Sequence, residues 1–345
     1  MRVLITNIWL VDWGGTEVYV RDLAIALHQR GIQVEVYSPE LGAVAGEIRD
    51  AGIHVAGSIT ELQGVPDIIH AHHTQPALDV LTAFPDTPAI YVLHARNCAV
   101  DIPPKHTRIL RYLASDYNTL EQLLTEENIP ERHTEVFLNW VDTDRFRLRK
   151  RWADKPAKAL VFSNYATKDN YFLHIQEACR IAGLPLDCKG RGVGDPVGKP
   201  ENILGDYDIV FGKAKAAIEA LATGAMVIPC DFRGLGEAVD SHNFAHIRKY
   251  NFGMKILNRP IEARLLVEEI RKYNPVEIKK AAVRIRKEAS LSSYVDHILL
   301  CYQRTIQHYH DGRLIYDEDA GQFFPRAGFY KRATRWLHQL VDTNL

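Results

Sequence analysis

The sequence predicts an α/β protein built from two doubly wound parallel-sheet domains. Three observations point there. Short β-branched runs alternate with segments of helical period, and the alternation stops and restarts at Ala159. A charged stretch without apolar period, "DTDRFRLRKRWADKPAK" from Asp142 to Lys158, separates the two series and reads as an interdomain linker and hinge. A chain of 345 residues suits two cores, at roughly 100–200 residues per domain.

In the first series "RVLITNIW" reads as a strand, "TEVYVRDLAIALHQRG" as a helix that stops at Gly31, and "QVEVYSP" as the next strand. "AGEIRDAG", "HVAGS", "PDIIHAHH", "QPALDVLTAF" and "AIYVLHA" continue the alternation. "TRILRYLASDYNTLEQLLTEENIP" reads as one helical stretch before the strand "TEVFLN". The second series runs through "ALVFSNY", "DNYFLHIQEACRIAGL", "PLDCKGRG", "YDIVFGK", "AAIEALATG" and "AMVIPCD". After Pro260 helical patterns dominate, and the final "PRAGFYKRATRWLHQLVDTNL" has the apolar spacing to pack back on the first domain. The expected domains are 1–146, 147–300 and a tail of 301–345. Strands separated by helices imply parallel sheets with right-handed crossovers. Ligands of such sheets sit at the carboxyl ends of the strands, where helix N-termini favour anions. Two such domains in tandem imply a cleft and a phosphorylated ligand.

Composition excludes several classes. Apolar residues make up 46% and charged residues 25%, and the formal net charge is -1, so no global field would gather nucleic acid. Five scattered cysteines, Cys98, Cys179, Cys188, Cys230 and Cys301, form no C-x-x-C and favour a reducing cytosol over a disulfide or zinc framework. The opening "RVLITNIWL" is too short, and too soon followed by Asp12, for a signal peptide or a membrane span. A soluble, cytoplasmic protein is expected.

The candidate site residues stand at strand-to-helix junctions. In "VDWGGTEVY", Gly14 and Gly15 let the backbone approach a ligand at the first helix; the plainer reading is a tight turn capped by Thr16. There is no third glycine of a dinucleotide fingerprint, which disfavours a nicotinamide cofactor. "GRGVG" brings Gly190 and Arg191 to the end of a strand, where they can line the cleft, although no helix follows. His70 and His72 of "HAHH" lack a carboxylate to complete a metal set and read as structural histidines, so no metal is assigned. His94 ends an apolar strand and either points into the cleft mouth or is a satisfied core histidine. Lys168 and Lys213 precede helices, within reach of a diphosphate if they are not simply solvated. Glu219, inside a small-residue helix, needs a partner: the vicinal hydroxyls of a ribose, or a salt bridge from the other domain. Lys105, His106, Arg108 and Arg111 make a basic cluster that is either a solvated face or a contact with anionic lipid.

The order of these pieces resembles the family 4 glycosyltransferases, retaining enzymes of the GT-B architecture. Similar to that family are Gly14-Gly15-x-Glu17, "DIIHAH", the strand ending in His94, and "NWVDTDRF", with Trp140 where the family has glycine. The most specific match is "EALATGAMVIPCDFRGLGEAV", Glu219 to Val239, which includes the Gly234-Leu235-x-Glu237 sequel. The resemblance covers about residues 1–300. It implies a nucleoside-diphosphate sugar donor of UDP or GDP type bound by the second domain, with no separate cofactor or metal. It also implies a glycan, lipid-linked or small-molecule acceptor at the first domain, and transfer with retention. By resemblance Glu219 binds the ribose, Lys168 the phosphates, His94 the donor sugar near the reacting carbon, and Gly15 the diphosphate. Asn164 falls where the family has arginine, and Phe211 where it has the first glutamate of Glu-x7-Glu; Lys213 would compensate for the arginine. A lipid-linked acceptor would add peripheral contact at the inner membrane face. The alternatives are a catalytically silent nucleotide-sugar-binding partner and a GT-B epimerase.

Overall fold

The computed structural model describes residues 1–312, so the expectation for the segment from Pro325 to Leu345 lies outside the described residues. The chain divides into two units: Met1–Phe137 with the described part of Val295–Leu345, and Leu138–Tyr294. The divisions fall at Phe137/Leu138 and Tyr294/Val295, whereas the sequence suggested residues 146 and 300.

The main sheet of the first unit has seven parallel strands: β1 (Arg2–Thr6), β2 (Gln33–Tyr37), β3 (His54–Ala56), β4 (Ile68–His72), β5 (Ala89–Leu93), β6 (Ile109–Ala114) and β7 (Thr134–Val136). They lie in the order β3-β2-β1-β4-β5-β6-β7, every neighbouring pair parallel. The reversal of order beside β1 is the switch point of a doubly wound sheet. Helices α1 (Gly15–Gln29), α2 (Ala43–Asp50), α3 (Thr74–Ala83) and α4 (Tyr117–Thr125) make the crossovers. Successive residues of β4 feed opposite faces. Ile69 and Ala71 join the core with Leu4, Tyr91, Val80 and Leu123, which leaves His70 and His72 on the other face.

The helix expected over residues 107–130 is a correction: the segment is strand β6 followed by helix α4. Ile109, Leu110, Tyr112, Leu113 and Ala114 are all buried, and a strand covered on both faces loses the alternation that would betray it. The break is at Asp116. Its carboxylate accepts from Thr119 N at 2.8 Å and the Thr119 hydroxyl bonds Asp116 N at 3.1 Å, a capping box that starts α4.

The second unit has four parallel strands, β8 (Ala159–Phe162), β9 (Leu186–Lys189), β10 (Ile209–Phe211) and β11 (Met226–Ile228), in the order β9-β8-β10-β11. A short antiparallel ribbon, β12 (Cys230–Asp231) with β13 (Gly234–Leu235), follows. Helices α5 (Phe172–Ala182), α6 (Ala214–Thr223), α7 (Phe244–Lys249), α8 (Ala263–Ile270) and α9 (Pro275–Glu288) belong to this unit, and α10 (Leu291–His310), whose residues from Val295 on belong to the first unit, completes the described helices. Leu160, Val210 and Val227 pack one way, with Ile218, Leu221 and Ile285, while Val161, Phe211 and Ile228 pack the other, with Ile175, Leu266 and Ile270. Both faces of the sheet are therefore covered, as the winding requires. Left-handed glycines close two helices, Gly183 after α5 and Gly224 after α6.

The charged segment 142–158 belongs to this second unit and is strapped to it. Phe146 is fully buried. The Arg149 guanidinium donates to Asp208 at 2.7 Å and to the Tyr207 carbonyl, and Trp152 Nε1 donates to Gly224 O at 2.8 Å. Charge without period looked like a linker because these guanidiniums and carboxylates bind backbone and one another instead of forming an apolar face.

Candidate functional site

At the carboxyl edge of the second sheet, the loop after β8 is built on its own polar groups. Asn170 Oδ1 accepts from Thr167 N at 3.0 Å and Phe172 N at 3.3 Å, and the Tyr171 hydroxyl donates to Ser163 Oγ at 2.8 Å. Asn164 Oδ1 takes the Arg191 amide at 3.1 Å, and its carbonyl takes Gly192 N at 3.2 Å. Asn164 thus welds the loops after β8 and β9 together. Gly190 has φ +144, and a Cβ there would lie 2.0 Å from Ser163 O, so the backbones meet too closely for any other residue. Lys168 is exposed on this loop, and its side chain has no partner among the described residues.

Lys213 precedes α6 and forms an ion pair with the fully buried Asp231 carboxylate, so its charge is already partly balanced. Asp231 Oδ1 also accepts from Arg233 N at 2.7 Å, which tightens the turn into Gly234. Gly234, at φ +159, lies against Arg259 O and Leu257 O, and Leu235 exchanges backbone bonds with Arg259 at 2.8 and 3.2 Å. These two residues fix the ribbon.

Glu219 is 4% exposed and lies 3.5 Å from Lys215 Nζ, one turn earlier in α6. Lys215 also donates to Trp140 O at 3.1 Å. One ion-pair partner in this structure is therefore on its own helix, a pairing that the i,i+4 spacing could have disclosed. Phe211 ends β10 at 0% exposure, inside the face packed on α5 and α8.

In the first unit, Gly14 caps α1 through its backbone, with Val18 N bonded to Gly14 O at 3.0 Å. Thr16 makes no cap; its hydroxyl donates to Glu17 Oε2 at 3.0 Å. A Cβ at Gly14 would lie 2.3 Å from that same carboxylate oxygen, so this glycine makes room for Glu17. Around Gly15 the space is open.

His94 stands just beyond β5 in a cluster of imidazoles. Its Nε2 is 2.7 Å from His72 Nδ1, and Tyr19 of α1 packs edge-on against both rings, 4.8 Å and 5.1 Å between centroids. His70 Nδ1 bonds the Tyr302 hydroxyl at 2.5 Å, and Ile8 N donates to His73 Nδ1 at 3.3 Å. Burial pushes His70, His73 and His94 down to about 3 and His72 well below its ordinary value, so all four rings are neutral. The sequence reading missed Asp101. It is 2% exposed and accepts from His94 N at 2.7 Å, Ala95 N at 3.2 Å and the Tyr91 hydroxyl at 2.8 Å. Burial raises its carboxyl to about 7, against these bonds, which lower it. A loop aspartate with no motif around it gives no signal in the sequence.

The basic cluster at 105–111 is partly internal. Arg108 donates to the carbonyls of Leu81 and Phe84 at the end of α3, and Arg111 to Arg132 O at 3.2 Å and His308 Nδ1 at 3.1 Å. Among the described residues no helix is long and apolar enough to cross a membrane.

No family model matches the sequence, and no curated protein matches it either. Solved structures do match. A glycosyltransferase from Rickettsia africae aligns at TM-score 0.64 and 13% identity, over 89% of this chain and 98% of that one. Anabaena HepE, in complex with UDP and glucose, aligns at TM-score 0.62 and 14% identity, over 88% and 99%. A UDP-N-acetylglucosamine 2-epimerase aligns at TM-score 0.50 and 12% identity, over 94% and 99%. At such identities the likeness is one of fold. The protein is thus an α/β protein of two Rossmann-like domains. Its fold is that of the GT-B glycosyltransferases and of sugar-nucleotide epimerases.

Proposed function

We propose that the protein is a glycosyltransferase that moves a sugar from a nucleoside-diphosphate sugar to a glycan, lipid-linked or small-molecule acceptor, with retention of anomeric configuration. The observation that carries this reading is the carboxyl edge of the second sheet. Lys168 and Arg191 stand there on loops joined through Asn164 and Gly190, and Lys213 stands at the start of α6, about two turns of helix before the buried Glu219. That combination suits a diphosphate beside a ribose. In the reaction, the bond between the anomeric carbon and the diphosphate oxygen breaks, and the acceptor oxygen forms the new one. Lys168 and the amides at the start of α6 stabilise the charge that develops on the leaving diphosphate, which takes the acceptor proton. His94, kept neutral, offers a hydrogen bond to the donor sugar rather than a charge. The setting of this reading is cytosolic, and peripheral membrane contact follows only if the acceptor is lipid-linked.

One observation favours a second reading. Asn164 is committed to the Arg191 and Gly192 amides, and Phe211 is core, so two positions that serve the donor in the resembling family are structural here. A silent nucleotide-sugar-binding partner would tolerate both. The deciding assay incubates the full chain with UDP- and GDP-sugars and follows release of UDP or GDP by chromatography, alongside Lys168→Ala. Release cut about a hundredfold or more in the variant supports the transferase. Binding without any release supports the silent partner, and an epimerised sugar without acceptor supports an epimerase.

A further inference from the structure

The same edge carries a cluster that no motif singled out. Tyr165, in the loop after β8, and Phe232, in the turn after β12, are 59% and 53% exposed, and their rings meet at a centroid distance of 6.0 Å. Two adjacent large rings left in water mark a contact surface more often than a scattered single one does. The Lys213 ammonium lies 5.2 Å from the Tyr165 centroid and 5.8 Å from that of Phe232, held there by buried Asp231. The Arg233 guanidinium stacks over the Phe232 ring at 5.3 Å and has no ion pair or hydrogen bond among the described residues. Its backbone is fixed, because Arg233 N bonds Asp231.

Exposed aromatic faces stack planar bases, and a guanidinium fork fits a phosphate in two parallel hydrogen bonds. The loop after β8 lacks such a fork, since Asn164 there holds the neighbouring backbone. Arg233 supplies one in the adjoining loop, linked to it through the contact of Phe232 with Tyr165. We infer that Tyr165, Phe232 and Arg233 form the platform for the nucleoside diphosphate of the donor, the rings covering the base and Arg233 taking a phosphate. This rests on the donor-binding reading above.

The test is isothermal titration of the full chain with UDP, GDP, ADP and dTDP at several salt concentrations. The variants are Arg233→Gln, Phe232→Ala and Phe232→Trp, each checked for an unchanged melting temperature without ligand. Arg233→Gln is expected to weaken the preferred diphosphate about tenfold and to flatten the salt dependence of Kd. Phe232→Ala is expected to weaken it about tenfold with the salt dependence unchanged, and Phe232→Trp to restore it. Wild-type binding with both single losses within about twofold overturns the platform and leaves the donor reading standing. Absence of binding by the wild type to all four overturns both.

Discussion

Asp101 is one carboxylate set against several donors, among them the amides of His94 and Ala95, the Tyr91 hydroxyl and the backbone of His73. It therefore decides where the chain goes after β5. Asp101→Ala leaves those buried donors without an acceptor, and a loss of about 2–4 kcal/mol is expected in urea unfolding. A loss below about 0.5 kcal/mol would show that the loop is held by something else. The four neutral histidines beside it set an acid limit. The folded-state pKa values of His70, His73 and His94 lie at about 3, against 6.5 ordinarily, and burial holds that of His72 well below its ordinary value. Above 6.5 both states are neutral and the contribution is complete; as pH falls from 6.5 toward 3, the unfolded chain takes up protons that the folded chain refuses, and stability is lost. Asp101 works in the other direction. Its pKa is raised from 3.8 to about 7, so its share is complete below 3.8 and lost as pH rises through 7. Four imidazoles outnumber one carboxyl, so Tm is expected to fall between pH 6.5 and 4.5 and to fall less in His70→Asn. An equal slope in the two proteins would contradict this account.

Segment 142–158 shows at the scale of an element why charge pattern alone misleads. Phe146 N bonds Asp142 O at 2.9 Å, Arg149 N bonds Thr223 O at 3.0 Å, and Ala157 N bonds Asp208 Oδ2 at 2.8 Å. Hydrogen exchange at Phe146 and Arg149 is expected to be as slow as in β8, because these amides open only with the second unit. Exchange at the rate of a free peptide would restore the hinge. The same contrast explains what the sequence disclosed. Strands β1, β8 and β10 were legible because β-branched runs are bounded by turn residues. Strand β6 was hidden because burial on both faces erased its period. Among the candidate site residues, Glu219, Lys168 and His94 were singled out by type and junction. Asp101, Asp231 and the Tyr165–Phe232 pair were not, because their partners come from other loops and only the fold brings them together.

For the whole molecule, the alternation of strands and helices was enough to predict two doubly wound sheets, and the strand orders carry them. Function is not carried by fold alone, since transferases and an epimerase share it. What all of these readings require is that the edge of the second sheet binds a nucleotide. The most direct measurement is a thermal-shift screen of the full chain against UDP, GDP, ADP, dTDP and their common sugar conjugates, with Glu219→Ala in parallel. A rise of several degrees for one base, lost in the variant, is the result expected from ligand linkage through a ribose held by Glu219. No shift with any nucleotide would contradict the donor site, and with it the account of Lys168, Lys213 and Arg233.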